Sequence, residues 1–282
     1  VLASTSPVQA AGGIIDPRLL LATRHIEKLE VKEAAKVLAD VPEEGEALIV
    51  HTLLALYTGD CDRAAALVEK AGSGNEEAAR YFGGVARGCA MVTAGTVTVT
   101  DENAGVSIRL KDDDDAPLVP YLIEVLGKAL ASLERDLGVT MPRPVRIELV
   151  RDHHSLSAIT GLSLEAAQNT GTLAVAKWGR VTMLSTRATP YGYAWADTLM
   201  HELTHLAVTR ASADEAPLWL QEGVAKRQEP RWRAPFLYDG QPSPDAIAVA
   251  GFKRNLGLGL DQLGPSIAML PTAEQAGVAF AE

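Results

Sequence analysis

Ala194-Trp-Ala-Asp-Thr-Leu-Met-His201-Glu202-Leu-Thr-His205-Leu-Ala-Val-Thr-Arg210 is the stretch that decides how the chain is read. It contains neither Pro nor Gly and is long enough for roughly four helical turns. His201 and His205 stand four residues apart, so on a helix both imidazoles leave the same face, one turn apart. That spacing suits two ligands of one tetrahedral metal ion. Glu202 lies beside them and can act as general base toward a water that the metal activates. Leu199, Leu203 and Leu206 fall near the opposite face and anchor the helix in a core.

A third ligand is expected on a second helix. Sixteen residues follow His205 before Glu222, and they include a turn at Ala211-Ser-Ala-Asp-Glu-Ala-Pro217. Pro217 suits the first turn of a helix. The run Leu218-Trp219-Leu220-Gln221-Glu222-Gly223-Val224-Ala225 then places Glu222 mid-helix among apolar residues. A carboxylate in such company requires a cation. Two His and one Glu, with a fourth position left open, are the ligand set of a catalytic zinc. We expect one Zn2+ per chain.

His201-Glu202-x-x-His205 followed by Trp219-Leu-x-Glu222-Gly223 resembles the gluzincin metallopeptidases, specifically bacterial peptidase MA-like domains. The resemblance covers residues 95–282. It implies a zincin-like fold with a small mixed sheet and an active-site helix, and hydrolysis of peptide bonds. Helical repeats often adjoin such domains. Members present an edge strand antiparallel to the bound peptide, which by analogy is Gly171, Thr172, Leu173, Ala174, Val175 and Ala176. Members also steady the oxyanion with a Tyr or His. No His follows His205, so Tyr238 is the leading candidate, with Tyr191, Tyr193 and an Arg behind it. Some gluzincins carry an acidic residue four positions after the Glu ligand, as an outer partner of a zinc histidine. Here that position is Lys226, and Asp197, Asp214 and Glu215 are the substitutes.

Working outward, Thr96–Thr100 and Val106–Leu110 alternate like two strands around a hairpin loop, and Val145–Val150 reads as another. Gly171–Ala176 and Arg180–Leu184 pair across Lys177-Trp178-Gly179. Trp178, at the tip, is expected to pack on the sheet rather than line a substrate rim. A helix runs from about Pro117 to Leu137. Asp112 to Asp115 lack the alternating spacing of a calcium loop and read as a solvated acidic turn, the last Asp favouring the following helix N-terminus. His153 and His154 begin a short helix and point apart, as surface residues do. The order of elements makes residues 95–282 an α+β domain.

Residues 1–13 form a loose lead-in, and residues 14–93 show only helical patterns. Ala34-Ala35 recurs as Ala64-Ala65 thirty residues later, and the turn at Thr58-Gly59-Asp60 resembles that of a tetratricopeptide-type hairpin. About two units are visible, too few to bury an independent core, so this all-α region is expected to lean on the next domain. The capping box Thr272-Ala-Glu-Gln275 opens a helix close to Glu282, which suggests a catalytic domain cut short at its C-terminus.

With 26 Lys plus Arg against 36 Asp plus Glu, the net charge of −10 offers no basic face for nucleic acid. No apolar run in the sequence reaches the ~18 residues of a membrane span. Cys61 and Cys89 lie outside any C-x-x-C pattern and read first as small buried hydrophobes, with a single disulfide between them as the alternative in an exported protein. The chain opens at Val1, which is expected either of a removed targeting peptide or of a fragment of something longer; the compartment stays open, with an exported protein slightly favoured over a cytoplasmic one. Two functions of different class follow: a zinc metallopeptidase acting on a peptide or protein, or a metal-stabilised domain that binds a partner without turnover. Glu202 favours the first, because a structural zinc needs four protein ligands and no base.

Overall fold

The computed structural model describes residues 16–71, 77–237, 239, 242–259, 262 and 270–281, with the backbone alone for 77–81. The first half of the helical region is a pair of hairpins. Helix α1 (Pro17–Glu27) starts where the Asp16 carboxylate accepts from Arg18 N, with Pro17 supplying a preset first turn. Leu29 takes a positive φ of 59° and turns the chain into α2 (Val31–Leu38). Helix α3 (Ala47–Thr58) ends at Gly59, whose φ of 77° an L side chain would resist, and α4 (Cys61–Ala71) returns along it. The recurring alanines have a packing reason: Ala34 and Ala64 are both fully buried, where larger side chains would hold the helices apart. Helix α5 (Glu77–Thr93) completes the region. Cys61 and Cys89 are not the two separate buried thiols of the first reading but the disulfide of the alternative, joining α4 to α5.

Strands β1 (Val97–Asp101) and β2 (Val106–Leu110) form the expected hairpin. Helix α6 (Val119–Leu137) crosses over to β3 (Val145–Val150), and α7 (His153–Thr160) and α8 (Leu164–Thr170) lead to β4 (Ala174–Lys177) and β5 (Arg180–Leu184). The sheet order is β1-β2-β3-β5-β4, with β2, β3 and β5 parallel and an antiparallel strand at each edge. This is the small mixed sheet of an α+β fold. The expected strand from Gly171 starts only at Ala174. Gly171 caps α8 at φ 65°, and Thr172 N still bonds back to Ala167 O, so Gly171, Thr172 and Leu173 lie before the strand. The turn between β4 and β5 is the two residues Trp178 and Gly179, both at positive φ, a combination whose twist matches the flanking strands.

Val106, Ile108 and Leu110 stand beside Val145, Ile147 and Leu149 on one sheet face, and α6 packs on this core with Leu122, Leu126, Ala129 and Leu133. The stretch Asp113–Leu137 is, by length and composition, apolar enough to cross a membrane, a test that a buried core helix also passes. Its inner face is core. The acidic run is also more than a solvated turn: Asp115 is buried, accepts from Ser185 Oγ, and with Asp112 and Asp114 clasps the Arg187 guanidinium. It ties the start of α6 to the end of β5.

The other sheet face meets the helical region. Arg180 is completely buried; it donates to Leu56 O at the C-terminus of α3 at 3.0 Å and lies 3.3 Å from Glu148. Arg109 reaches Gly59 O at 3.2 Å. The negative end of a helix thus offsets arginines taken out of water. Trp178 is buried between Tyr57 and Phe82 in edge-on contact, and its ring N–H donates to Thr160 O. It packs, as expected, but on the helical hairpins. Gly88 of α5 touches α7 so closely that an added Cβ would lie 2.2 Å from Ala158 O.

Candidate metal centre

Helix α9 (Trp195–Ser212) fulfils the expectation for Ala194–Arg210. Leu199, Met200, Leu203 and Leu206 enter the sheet core, and that burial fixes the rotation of the helix and so the direction of His201 and His205. Ala213 and Asp214 take positive φ and turn the chain, and α10 (Leu218–Gln228) packs back against α9. Its buried face is Gln221, Ala225 and Gln228, whereas Trp219 and Leu220 are exposed, contrary to the expectation that they would line the core. Glu222 nevertheless points inward.

His201, His205 and Glu222 form a group that can hold a metal ion. Their ligand atoms make a near-equilateral triangle: His201 Nε2 to His205 Nε2 is 3.0 Å, and Glu222 Oε2 lies 3.3 Å and 3.4 Å from the two. Tetrahedral ligands about 2.0–2.1 Å from a common centre stand about 3.3 Å apart, so the residues fit such an ion. Glu222 Oε2 is buried and has no hydrogen bond of good geometry. A buried acceptor in that position calls for a cation.

Charge points the same way. Glu202, Glu222 and Glu229 converge on two imidazoles, with the Lys226 ammonium on the outer side of Glu229. Burial disfavours a charged His201, but Glu222 and Glu229 outweigh it and raise its pKa to about 10. A proton on that ring and a metal at its Nε2 are alternative answers to the same excess of carboxylate. Burial works to raise Glu222, yet the His205 and His201 rings prevail and hold it well below the usual carboxylate range. Burial prevails at Glu202, which is raised.

Glu202 Oε2 accepts from Ala176 N at 2.6 Å, so the edge strand β4 and the motif carboxylate meet directly. Tyr193 is committed elsewhere, donating to Leu184 O, and Tyr191 is fully exposed. Tyr238 lies outside the described residues. The outer partner of His201 is Glu229, 2.9 Å from Nδ1 in the 3-10 turn Glu229–Trp232. None of the three substitutes takes that place: Asp197 binds Trp232 and Arg233, Asp214 faces Thr209, and Glu215 makes a backbone turn. Glu229 stands seven residues after Glu222, two turns along the same face, which is the signal the sequence carried.

Helix α11 (Pro244–Lys253) and α12 (Ala273–Ala279) follow, and the ring of Phe280 meets the His201 ring edge-on at 5.9 Å. His153 is not a free surface residue, since its Nε2 lies 3.0 Å from Thr172 O. Among family models, curated proteins and solved structures, none matches the chain.

Proposed function

We propose that the protein is a zinc metallopeptidase of gluzincin type, with His201, His205 and Glu222 as metal ligands and Glu202 as general base. The observation that carries this reading is the hydrogen bond between Glu202 and Ala176 N: of the two carboxylates at the centre outside the ligand group, Glu229 is taken by His201 Nδ1 and Glu202 is held beside a sheet edge. Zinc held there supplies Lewis acidity, lowering the pKa of water and polarising a carbonyl. Glu202 takes the proton of the attacking water and returns it to the departing amine. Glu229 fixes the His201 ring through Nδ1, leaving Nε2 free as the donor atom. Ala174, Val175 and Ala176 receive the substrate backbone by strand addition. The Cys61–Cys89 disulfide favours an exported protein.

The test begins with protein purified without chelator or added metal. Elemental analysis should find about one zinc per chain, the content of a three-ligand site. Cleavage of an unfolded protein substrate should vanish with chelator and return with zinc. Absence of stoichiometric metal would sink the reading. Zinc and peptide binding without cleavage would identify a binding module instead.

A further inference from the structure

A cavity of about 210 Å³ lies at the seam between the helical hairpins and the sheet, on the side of α9 away from the metal ligands. Leu29, Tyr57, Met141 and Leu206 contribute apolar wall, and Lys32, Arg143 and Arg146 also line it. No Asp or Glu is among the lining residues. In a chain with a net charge of −10, a cavity with three cations and no anion is a local reversal of sign.

Arg146 is the least compensated of the three. It shares a sheet face with Arg109 and Arg180, and the carboxylate among them is Glu148. Glu148 sits 3.3 Å from Arg180 and 3.8 Å from Arg109. The carbonyls of Leu56 and of Gly59, at and just past the end of α3, are likewise taken by Arg180 and Arg109. The half-buried Arg146 guanidinium has neither hydrogen bond nor ion pair with a described residue. Burial, then repulsion from Arg180, lowers its pKa from the ordinary arginine value, as expected of a cation short of counter-charge. Lys32 is exposed at the rim and also lacks an ion pair with a described residue. Arg143 donates to the Ala104 and Gly105 carbonyls and has no ion pair with a described residue.

We propose that this cavity binds a carboxylate on a small apolar body, the carboxylate on Arg146 and Lys32 and the apolar group against Leu29, Tyr57, Met141 and Leu206. A guanidinium fork takes a carboxylate in two parallel hydrogen bonds, which makes Arg146 the specificity element. The size fits: an apolar cavity of about 150 Å³ accepts a benzene ring, so this one has room for a ring and its acid group. The same chemistry is offered by a free aryl or alkyl acid and by the C-terminal residue of a peptide.

Calorimetric titration of the full chain separates these sources, with EDTA present so that no metal-held carboxylate contributes. The probes are 3-phenylpropionate, its amide, a tetrapeptide ending in Phe, and that peptide amidated. One acid per chain should bind saturably, at least about tenfold more tightly than its amide, because the charged hydrogen bonds are lost. Arg146→Gln should weaken the acid by a similar factor, and Lys32→Gln, at an exposed site that does not affect folding, by about threefold or more. Tighter binding of the free-acid peptide would assign the site to chain termini, and preference for phenylpropionate to a small metabolite. Equal affinity of acid and amide, or no saturable binding of either acid probe, would overturn the proposal.

Discussion

Glu202 and Glu222 carry the same functional group on adjoining helices, and their surroundings divide their roles. Glu222 Oε2 faces two imidazole nitrogens, whereas Glu202 faces the Ala176 amide of the sheet edge. Glu202→Gln should therefore keep metal and lose peptide hydrolysis by about 10²–10⁴-fold or more, because shape survives and the base does not. Glu222→Ala should instead lose the metal. Metal content and turnover measured on both variants check this, and the reverse pattern would exchange the two roles. Glu229 acts through His201, so Glu229→Gln should weaken zinc affinity about 10–100-fold in competition with a chromogenic chelator. Unchanged affinity would reduce Glu229 to a partner of Lys226.

Helix-to-helix contacts set the next group of expectations. Gly88 lets α5 approach the Ala158 carbonyl of α7, and a methyl group there has no room. Gly88→Ala should destabilise the fold by about 1–3 kcal/mol, read from denaturant midpoints. Helix α6 holds the turn that carries Glu229 through Asp136, which pairs with Arg231 and Arg135. Those hydrogen bonds, Arg231 first, keep the Asp136 carboxyl far below the usual aspartate range. A folded-state pKa below the unfolded one stabilises at neutral pH and loses that contribution as pH falls below about 4 toward the folded value. The stability difference between the native chain and Asp136→Asn should accordingly shrink from pH 7 to pH 3. A difference that stays constant with pH would show that the ion pairs do not act through this carboxylate.

The helical region and the sheet share polar and aromatic contacts that neither can complete alone. Trp178 reaches out from the β4–β5 turn to sit between Tyr57 and Phe82, Arg180 donates into the end of α3, and Arg210 of α9 donates to Lys28 O. Leu29 belongs to the sheet core, although it lies between α1 and α2. Residues 14–93 expressed alone should therefore show weaker amide-exchange protection than in the full chain, even with the disulfide formed. The small core of five helices leaves little margin over chain entropy. Equal protection in the two contexts would show an independent module.

The amino-acid sequence was sufficient for whatever depends on local periodicity. The four-residue step from His201 to His205 fixes a shared helix face, alternation marks β2 and β3, and Gly59 and Pro217 mark the ends of elements. Each of these follows from backbone sterics and side-chain direction over a few residues. The pairing of Cys61 with Cys89, the burial of Asp115 under Arg187, and the seat of Trp178 on the hairpins were not legible, because each depends on segments far apart in the chain. Glu229 shows the boundary clearly. Its spacing from Glu222 is a helical one, but Glu229 stands where α10 gives way to a 3-10 turn, and only the packing of α10 on α9 brings that carboxylate to Nδ1 of His201. Spacing names the candidate ligands because a helix is a local object; the environment around them is set by how distant surfaces pack.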